Sequence, residues 1–312
     1  MMPRARCSTL SLVTLGLAAA AGCTDGAGAL DSGPGAPDHG APDSKLKAVF
    51  GGTRPVTLSV PSGYDGSKAV PLVLVLHGYG ATGWVQERYL GFKSLVDQEG
   101  FLLAAPNGTL DKLGKLFWDA TDACCNFYSS KVDDSAYLAT LIAEIRAVYR
   151  VDAKRVYLVG HSNGGFMSYR MACDHADLLA AVISLAGATY SDPTKCKPGT
   201  RLSVLQIHGS NDLSVRYDGG TIAGSQVSYP GAKQTVQSWA SYNGCGGTTS
   251  PGQALDIDGS LAGAETTVER TQGCPSGIDV ELWTINGGGH LPIPNANFGP
   301  AAWSFFERHP KP

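Results

Sequence analysis

The sequence predicts a three-layer α/β sandwich with a mostly parallel central sheet, and three observations carry that expectation. Short Val/Leu/Ile runs recur without polar alternation, as in strands covered on both faces. Amphipathic stretches of helical length separate them. The alternation starts at residue 49 and shows no internal repeat, so right-handed crossovers within one domain accommodate it.

The elements follow in order. Residues 55–60 (PVTLSV) and 70–76 (VPLVLVL) are strand candidates, and residues 86–99 form the next helix candidate. A strand is expected at 101–105 (FLLAA). Residues 134–149 (DSAYLATLIAEIRAVY) repeat apolar residues at helical spacing, and the acidic pair Asp133-Asp134 at their start reads as capping. Then come a strand at 155–159 (RVYLV), a helix at 166–173, and strands at 180–186 (AAVISLA) and 202–207 (LSVLQI). A helix at 232–242, a strand at 280–285 (VELWTI) and a helix at 301–309 complete the set. Residues 244–277, rich in Asp, Gly and Thr, read as an excursion stapled by Cys245 and Cys274.

Composition narrows the function classes. A chain of 312 residues with 43% hydrophobic and only 16% charged residues is neither disordered nor a coiled coil. A formal charge of -3 without a basic stripe gives a nucleic acid no electrostatic footing. Residues 1–22 carry Arg4 and Arg6, an apolar run, then small residues, the pattern of an export signal too short to stay as a membrane span. Ala20-Ala21-Gly22-Cys23 resembles a lipobox, with Ala20 where Leu is usual, so lipidation of Cys23 and ordinary cleavage both remain open. Residues 23–45 are a Gly/Pro-rich disordered tether, and residues 46–312 form the globular domain.

Beyond Cys23 six cysteines remain, an even number that suggests disulfides in an exported chain. Cys173 with Cys196 and Cys245 with Cys274 close short local loops. Cys124 and Cys125 are left as a strained adjacent pair, unless either stays reduced. No CxxC or HExxH spacing supports a zinc site.

The chemistry concentrates in Gly160-His161-Ser162-Asn163-Gly164. In a chain with 40 glycines the bare GxSxG pattern is weak evidence, but here it directly follows RVYLV and precedes GFMSYRMAC, the strand-turn-helix setting of a nucleophile elbow. A serine hydroxyl needs a base to take its proton. His290, in the Gly287-Gly288-Gly289 loop after the last strand, fills that place better than His309, which reads as a solvated cap of the final helix. His77, His161 and His208 read as parts of strand-end motifs. Asp212 follows LSVLQI and emerges at the same sheet edge, which makes it the acid that orients the imidazole, with Asp218 in reserve. The order Ser162, Asp212, His290 is that of α/β-hydrolases. The oxyanion hole needs the backbone N–H of Asn163 and a second donor from His77-Gly78-Tyr79-Gly80: Tyr79, or Gly80 in its stead.

PLVLVLHGYGATG, APNG, FWDATDACC, VDDSAYLATLI, RVYLVGHSNGGFMSYRMAC, SLAG, LQIHGSNDLSVRYDGG and GGGH together span most of the chain, about 54–309. In these blocks it resembles the exported esterases grouped with polyhydroxybutyrate depolymerases and feruloyl and acetylxylan esterases. The resemblance implies an α/β-hydrolase fold and hydrolysis of carboxylic esters through an acyl-enzyme without a cofactor. Its substrate would be an ester of polyhydroxyalkanoate or of plant polysaccharide. Related esterases often continue GGGH with tryptophan and proline. Here His290 is followed by Leu291-Pro292-Ile293-Pro294, a departure on the leaving-group side of the cleft. Residues 173–201 have room for one strand and a loop and for no large lid domain, so the cleft is expected to be open to polymer. Tyr79, Trp84 and Trp118 are the aromatic candidates for its walls, although such residues more often belong to the core. The expected state is a monomer that meets a membrane only through an N-terminal lipid. Acyl transfer to a sugar and a catalytically silent binding module are the alternatives.

Overall fold

The structure, a computed structural model, describes residues 48–312. Signal, tether and Cys23 lie outside the described residues. The chain enters through a short antiparallel pair, β1 (Val49–Phe50) and β2 (Val56–Thr57), then runs through β3 (Val70–Leu76), α1 (Gly83–Tyr89), α2 (Phe92–Glu99) and β4 (Leu102–Ala104). A small hairpin of β5 (Thr109–Leu110) and β6 (Leu116–Phe117) precedes α3 (Asp134–Val148), β7 (Val151–His161), α4 (Asn163–Asp174) and β8 (Ala181–Leu185). Next come β9 (Ser203–Gly209), the hairpin β10 (Gly219–Thr221) and β11 (Ser228–Pro230), and α5 (Ala232–Asn243). β12 (Thr249–Pro251), β13 (Thr266–Thr271), β14 (Val280–Ile285) and α6 (Phe298–Arg308) close the chain.

Eight strands form the main sheet in the order β12-β13-β14-β9-β8-β7-β3-β4. From β14 to β4 every pairing is parallel, while β12 and β13 are antiparallel additions at one edge. The unbroken apolar runs have a direct cause. Along β3, Leu72, Leu74 and Leu76 enter the core beneath α3, α4 and α5, while Val73 and Val75 enter the core beneath α2 and α6. Both faces of the strand are buried, so neither tolerates polar alternation. After β4 the chain returns to β7 on the other side of β3, which makes the carboxyl ends of β3 and β7 the topological switch point of the sheet.

Four sequence expectations change. Residues 55–60 add no strand to the main sheet: the strand there is short, β2, paired only with β1, and Ser59 makes an isolated bridge to Leu103. The single helix over 86–99 is two helices, because Gly91 takes the left-handed φ of 75° and breaks the backbone after α1. The first helix also begins earlier than expected, capped by the Thr82 hydroxyl, which accepts from Val85 N–H at 3.3 Å. Residues 244–277 are more than a stapled excursion. They supply β12 and β13, whose TTVERT pattern buries Thr266 and Val268 on one face and Thr271 on the other. His309 is not solvated: it is 3% exposed, with Nδ1 at 2.6 Å from the Phe305 carbonyl and Nε2 at 2.7 Å from Asp279 Oδ2. Between α4 and β9 stand only β8, a 3-10 turn (Pro193–Lys195) and loops. Disulfides join Cys173 to Cys196, Cys245 to Cys274, and Cys124 to Cys125.

Candidate active site

β7 ends at His161 and α4 begins at Asn163, so Ser162 alone makes the turn. Its backbone is held at φ 55° and ψ -120°, a conformation that non-glycine residues avoid and that persists only where the surroundings enforce it. The enforcement is steric as well as hydrogen-bonded. A Cβ on Gly160 would stand 2.1 Å from the Gly164 carbonyl oxygen, and one on Gly164 would stand 2.1 Å from the Leu76 carbonyl oxygen. The elbow therefore closes on itself and on β3. Ser162 N–H also donates to the Leu185 carbonyl at 2.8 Å, at the end of β8.

The loops after three strands bring the other candidates to this turn. His290, beyond β14, has Nε2 at 2.9 Å from Ser162 Oγ and Nδ1 at 2.8 Å from Asp212 Oδ2. Asp212, beyond β9, is 3% exposed, and its Oδ1 accepts the N–H groups of Ser214 at 2.8 Å and Val215 at 2.9 Å. Burial alone would raise this carboxyl. Hydrogen bonds from His208 and His290, the charge interaction with His290 and the Val215 N–H outweigh it and hold Asp212 far below the usual carboxylate range. It is an anion fixed against an imidazole. Asp218, the reserve, lies just before β10 and makes no such contact among the described hydrogen bonds.

The loop after β3 packs directly on the elbow: a Cβ on Gly78 would lie 3.4 Å from Ser162 Cβ. Its amides separate cleanly. Gly78 N–H donates to Gln86 Oε1 at 3.3 Å, and Gly80 N–H to the Leu116 carbonyl at 2.7 Å. Tyr79 N–H, between them, donates to none of the described acceptors. Asn163 N–H, at the first position of α4, has no acceptor in the preceding turn, as helix starts dictate. Gly80 is thus committed elsewhere, and Tyr79 is the amide left to pair with Asn163. The Tyr79 phenol hydrogen-bonds Asp111, and its ring packs edge-on against Phe127 at 5.4 Å.

Several supporting residues escaped the sequence reading. The Asn163 side chain clamps Trp118, accepting its N–H at 2.7 Å and donating to its carbonyl at 3.0 Å. Trp118 is fully buried, and its indole N–H donates to the His77 carbonyl at 3.1 Å, so it braces the loop after β3 and is no wall for substrate. Trp84 is 63% exposed. Asp133 caps α3 as expected, whereas Asp134 is buried and holds Arg54 together with the Asp119 N–H, the latter at 2.7 Å. The three strand-end histidines each hold a loop. His77 Nδ1 donates to the Gly78 carbonyl at 2.8 Å while Nε2 accepts Gly108 N–H at 2.9 Å. His161 Nε2 donates to the His290 carbonyl at 2.8 Å. His208 Nε2 donates to the Val215 carbonyl at 2.7 Å. Burial lowers both His77 and His161 to about 4, so both are neutral near pH 7. A histidine at the end of a buried apolar strand was the available signal for all three.

The Esterase family ("Putative esterase") matches residues 48–220, more than half of the chain. The chain belongs to the esterase family. Among curated relatives, feruloyl esterase B of Piromyces equi is 31% identical over 270 residues, covering 83% of this chain and 46% of the relative. Feruloyl esterase C of Emericella nidulans is 30% identical over 190 residues, covering 58% of this chain and 64% of the relative. The chain thus spans only about half to two thirds of the length of these relatives. Among solved structures, an acetyl xylan esterase from Aspergillus awamori superposes with a TM-score of 0.58 at 18% identity, covering 81% of this chain and 94% of that one. That likeness establishes the shared fold.

Proposed function

We propose that this esterase-family chain is a serine carboxylesterase in which Ser162 is the nucleophile, His290 the general base and Asp212 its orienting acid. The observation that carries the reading is the unbroken contact Ser162 Oγ to His290 Nε2 to Asp212 Oδ2, at 2.9 and 2.8 Å, on a strained elbow. Ser162 Oγ attacks the ester carbonyl as its proton passes to His290 Nε2, and the tetrahedral oxyanion is received by the N–H groups of Asn163 and Tyr79. Collapse expels the alcohol, which takes the proton from His290, and leaves Ser162 acylated. Water, deprotonated by His290, then releases the acid and restores the serine. No step requires a cofactor.

The proposed substrate is an acyl or feruloyl ester on plant polysaccharide, in keeping with the names of the relatives. A polyhydroxyalkanoate is the second reading. It is favoured by the apolar side chains beside the triad, Leu213 being 88% exposed and Leu291 67%. Export is part of the proposal: six cysteines paired in three disulfides suit an oxidising compartment, with residues 1–22 as the signal and Cys23 as a lipid anchor. The test is Ser162→Ala beside wild type on butyryl esters, methyl ferulate, acetylxylan and polyhydroxybutyrate film. The variant is expected to lose at least ~10³-fold in kcat, while equal activity of the two proteins would refute the mechanism. The wild-type pattern decides between the substrates.

A further inference from the structure

β9 reads as an apolar strand that starts on Ser203 and carries two further polar residues, Gln206 and His208, which alternate onto the same face. Both are buried, at 0% and 1% exposure, where apolar side chains would carry no desolvation cost. Every polar atom of the pair is nevertheless used. Gln206 Oε1 accepts from the Tyr169 hydroxyl at 2.6 Å, and its Nε2 donates to the Gly187 carbonyl at 2.9 Å and to His208 Nδ1 at 2.9 Å. His208 Nε2 donates to the Val215 carbonyl at 2.7 Å and faces Asp212 Oδ2 at 3.4 Å.

The two carbonyls at the ends of this chain fix its polarity. A carbonyl only accepts, so the Gln206 atom facing Gly187 must be the amide nitrogen, and its second hydrogen goes to His208 Nδ1. Nδ1 is therefore bare, and the proton sits on Nε2, where Val215 and Asp212 require a donor. The same Asp212 Oδ2 receives Nδ1–H of His290, and Asp212 Oδ1 receives Val215 N–H, so His208 closes the very turn that holds the carboxylate.

We propose that His208, with its tautomer set by Gln206, is a positioning residue for Asp212. It locks the 212–215 turn and gives Oδ2 a second donor, keeping the carboxylate oriented toward His290. The inference rests on the proposed role of Asp212. Without the His208 donor the carboxylate is freer to rotate and more basic, so it orients the imidazole less well and favours the imidazolium more. kcat falls, and the acid limb of the kcat/KM profile moves to higher pH. The other titratable groups that face this unit are the His161 ring from β7, lying 5.0 Å from the His290 ring, and the phenols of Tyr217 and Tyr229 from the segments after β9. Arg216 is the nearby cation, its N–H bonded to the Tyr229 hydroxyl. His161 is lowered by burial to about 4 and both phenols are raised by burial, so none of the three supplies a limb between pH 5 and 8.

The experiment compares wild type, His208→Leu, His208→Gln and Gln206→Leu on p-nitrophenyl acetate across pH, with thermal unfolding of each. His208→Leu is expected to lose roughly 10- to 100-fold in kcat with KM changed less than about twofold. Its acid limb should rise by about half a pH unit or more. His208→Gln, which keeps an N–H donor, should recover most of the rate and return the limb toward wild type, and Gln206→Leu should fall between. A folded His208→Leu with wild-type kcat and acid limb would overturn the role, as would equal limb shifts in the Leu and Gln variants. If His208→Leu does not fold, Gln206→Leu decides: a lowered kcat with a raised limb supports the proposal, and wild-type values overturn it. Ser162→Ala runs alongside. Retained activity there defeats the esterase mechanism itself, whereas its loss with unaltered His208 variants defeats only the role of His208.

Discussion

Ser162, Asp212 and His290 stood out in the sequence because each sits in a local motif at the end of an apolar run. The residues that hold them did not, because their work is done through bonds to backbone atoms far along the chain: His161 reaches the carbonyl of His290, 129 positions away. Two predictions belong to single residues. Gly160→Ala puts a Cβ 2.1 Å from the Gly164 carbonyl oxygen, a backbone atom that yields only if the elbow opens. It is expected to cost about 3 kcal/mol or more in urea unfolding and to lower kcat in the protein that remains folded. The second concerns pH. His77 and His161 fall from 6.5 to about 4 on folding, so between those values the unfolded chain binds more protons. The stabilisation is complete above about pH 6.5 and is lost as pH falls toward 4, to the extent of about 3 kcal/mol per histidine. His161→Gln, which keeps a donor for the His290 carbonyl, should flatten the slope of unfolding free energy across that window. An unchanged slope would show that His161 does not titrate differently in the two states.

The strands of the parallel core were readable because burial on both faces leaves a composition that no surface segment shares. β13 was not. Thr266 and Thr271 look polar in one dimension, yet both are buried, while Thr267 and Arg270 face outward, as a strand of an antiparallel pair allows. The break between α1 and α2 was hidden for a different reason: a lone glycine inside an amphipathic pattern is compatible with a continuous helix, and Gly91 is left-handed in a place where the start of α6 comes within 3.6 Å of where its Cβ would be. The edge strands also carry a prediction. Cys245 and Cys274, 29 residues apart, tie the end of α5 to the end of β13 around the added strands. Replacing both by serine is expected to destabilise the fold by about 3 to 4 kcal/mol on loop entropy. The triad lies at the other loops, so kcat of the folded variant should stay near wild type. A large fall in kcat with unchanged unfolding would reverse that assignment.

For the whole molecule, the sheet places the functional loops together: β3, β7, β9 and β14 are near neighbours in the order β14-β9-β8-β7-β3, and each delivers its loop at the carboxyl end. Chain order scatters these pieces over more than 200 residues, from His77 to His290, and the parallel sheet gathers them at one edge. Its loops after α4 are short, so Ser162 is not covered by an inserted domain among the described residues. The central step of the proposed mechanism is acylation of that serine by His290-assisted attack. It is tested most directly by treating the protein with a p-nitrophenyl dialkyl phosphate and mapping the adduct by peptide mass spectrometry while following loss of ester hydrolysis. One equivalent on the peptide bearing Ser162, formed in step with inactivation and absent from Ser162→Ala, is the predicted result. Full inactivation with the label elsewhere, or stoichiometric labelling of Ser162 with hydrolysis intact, would contradict it.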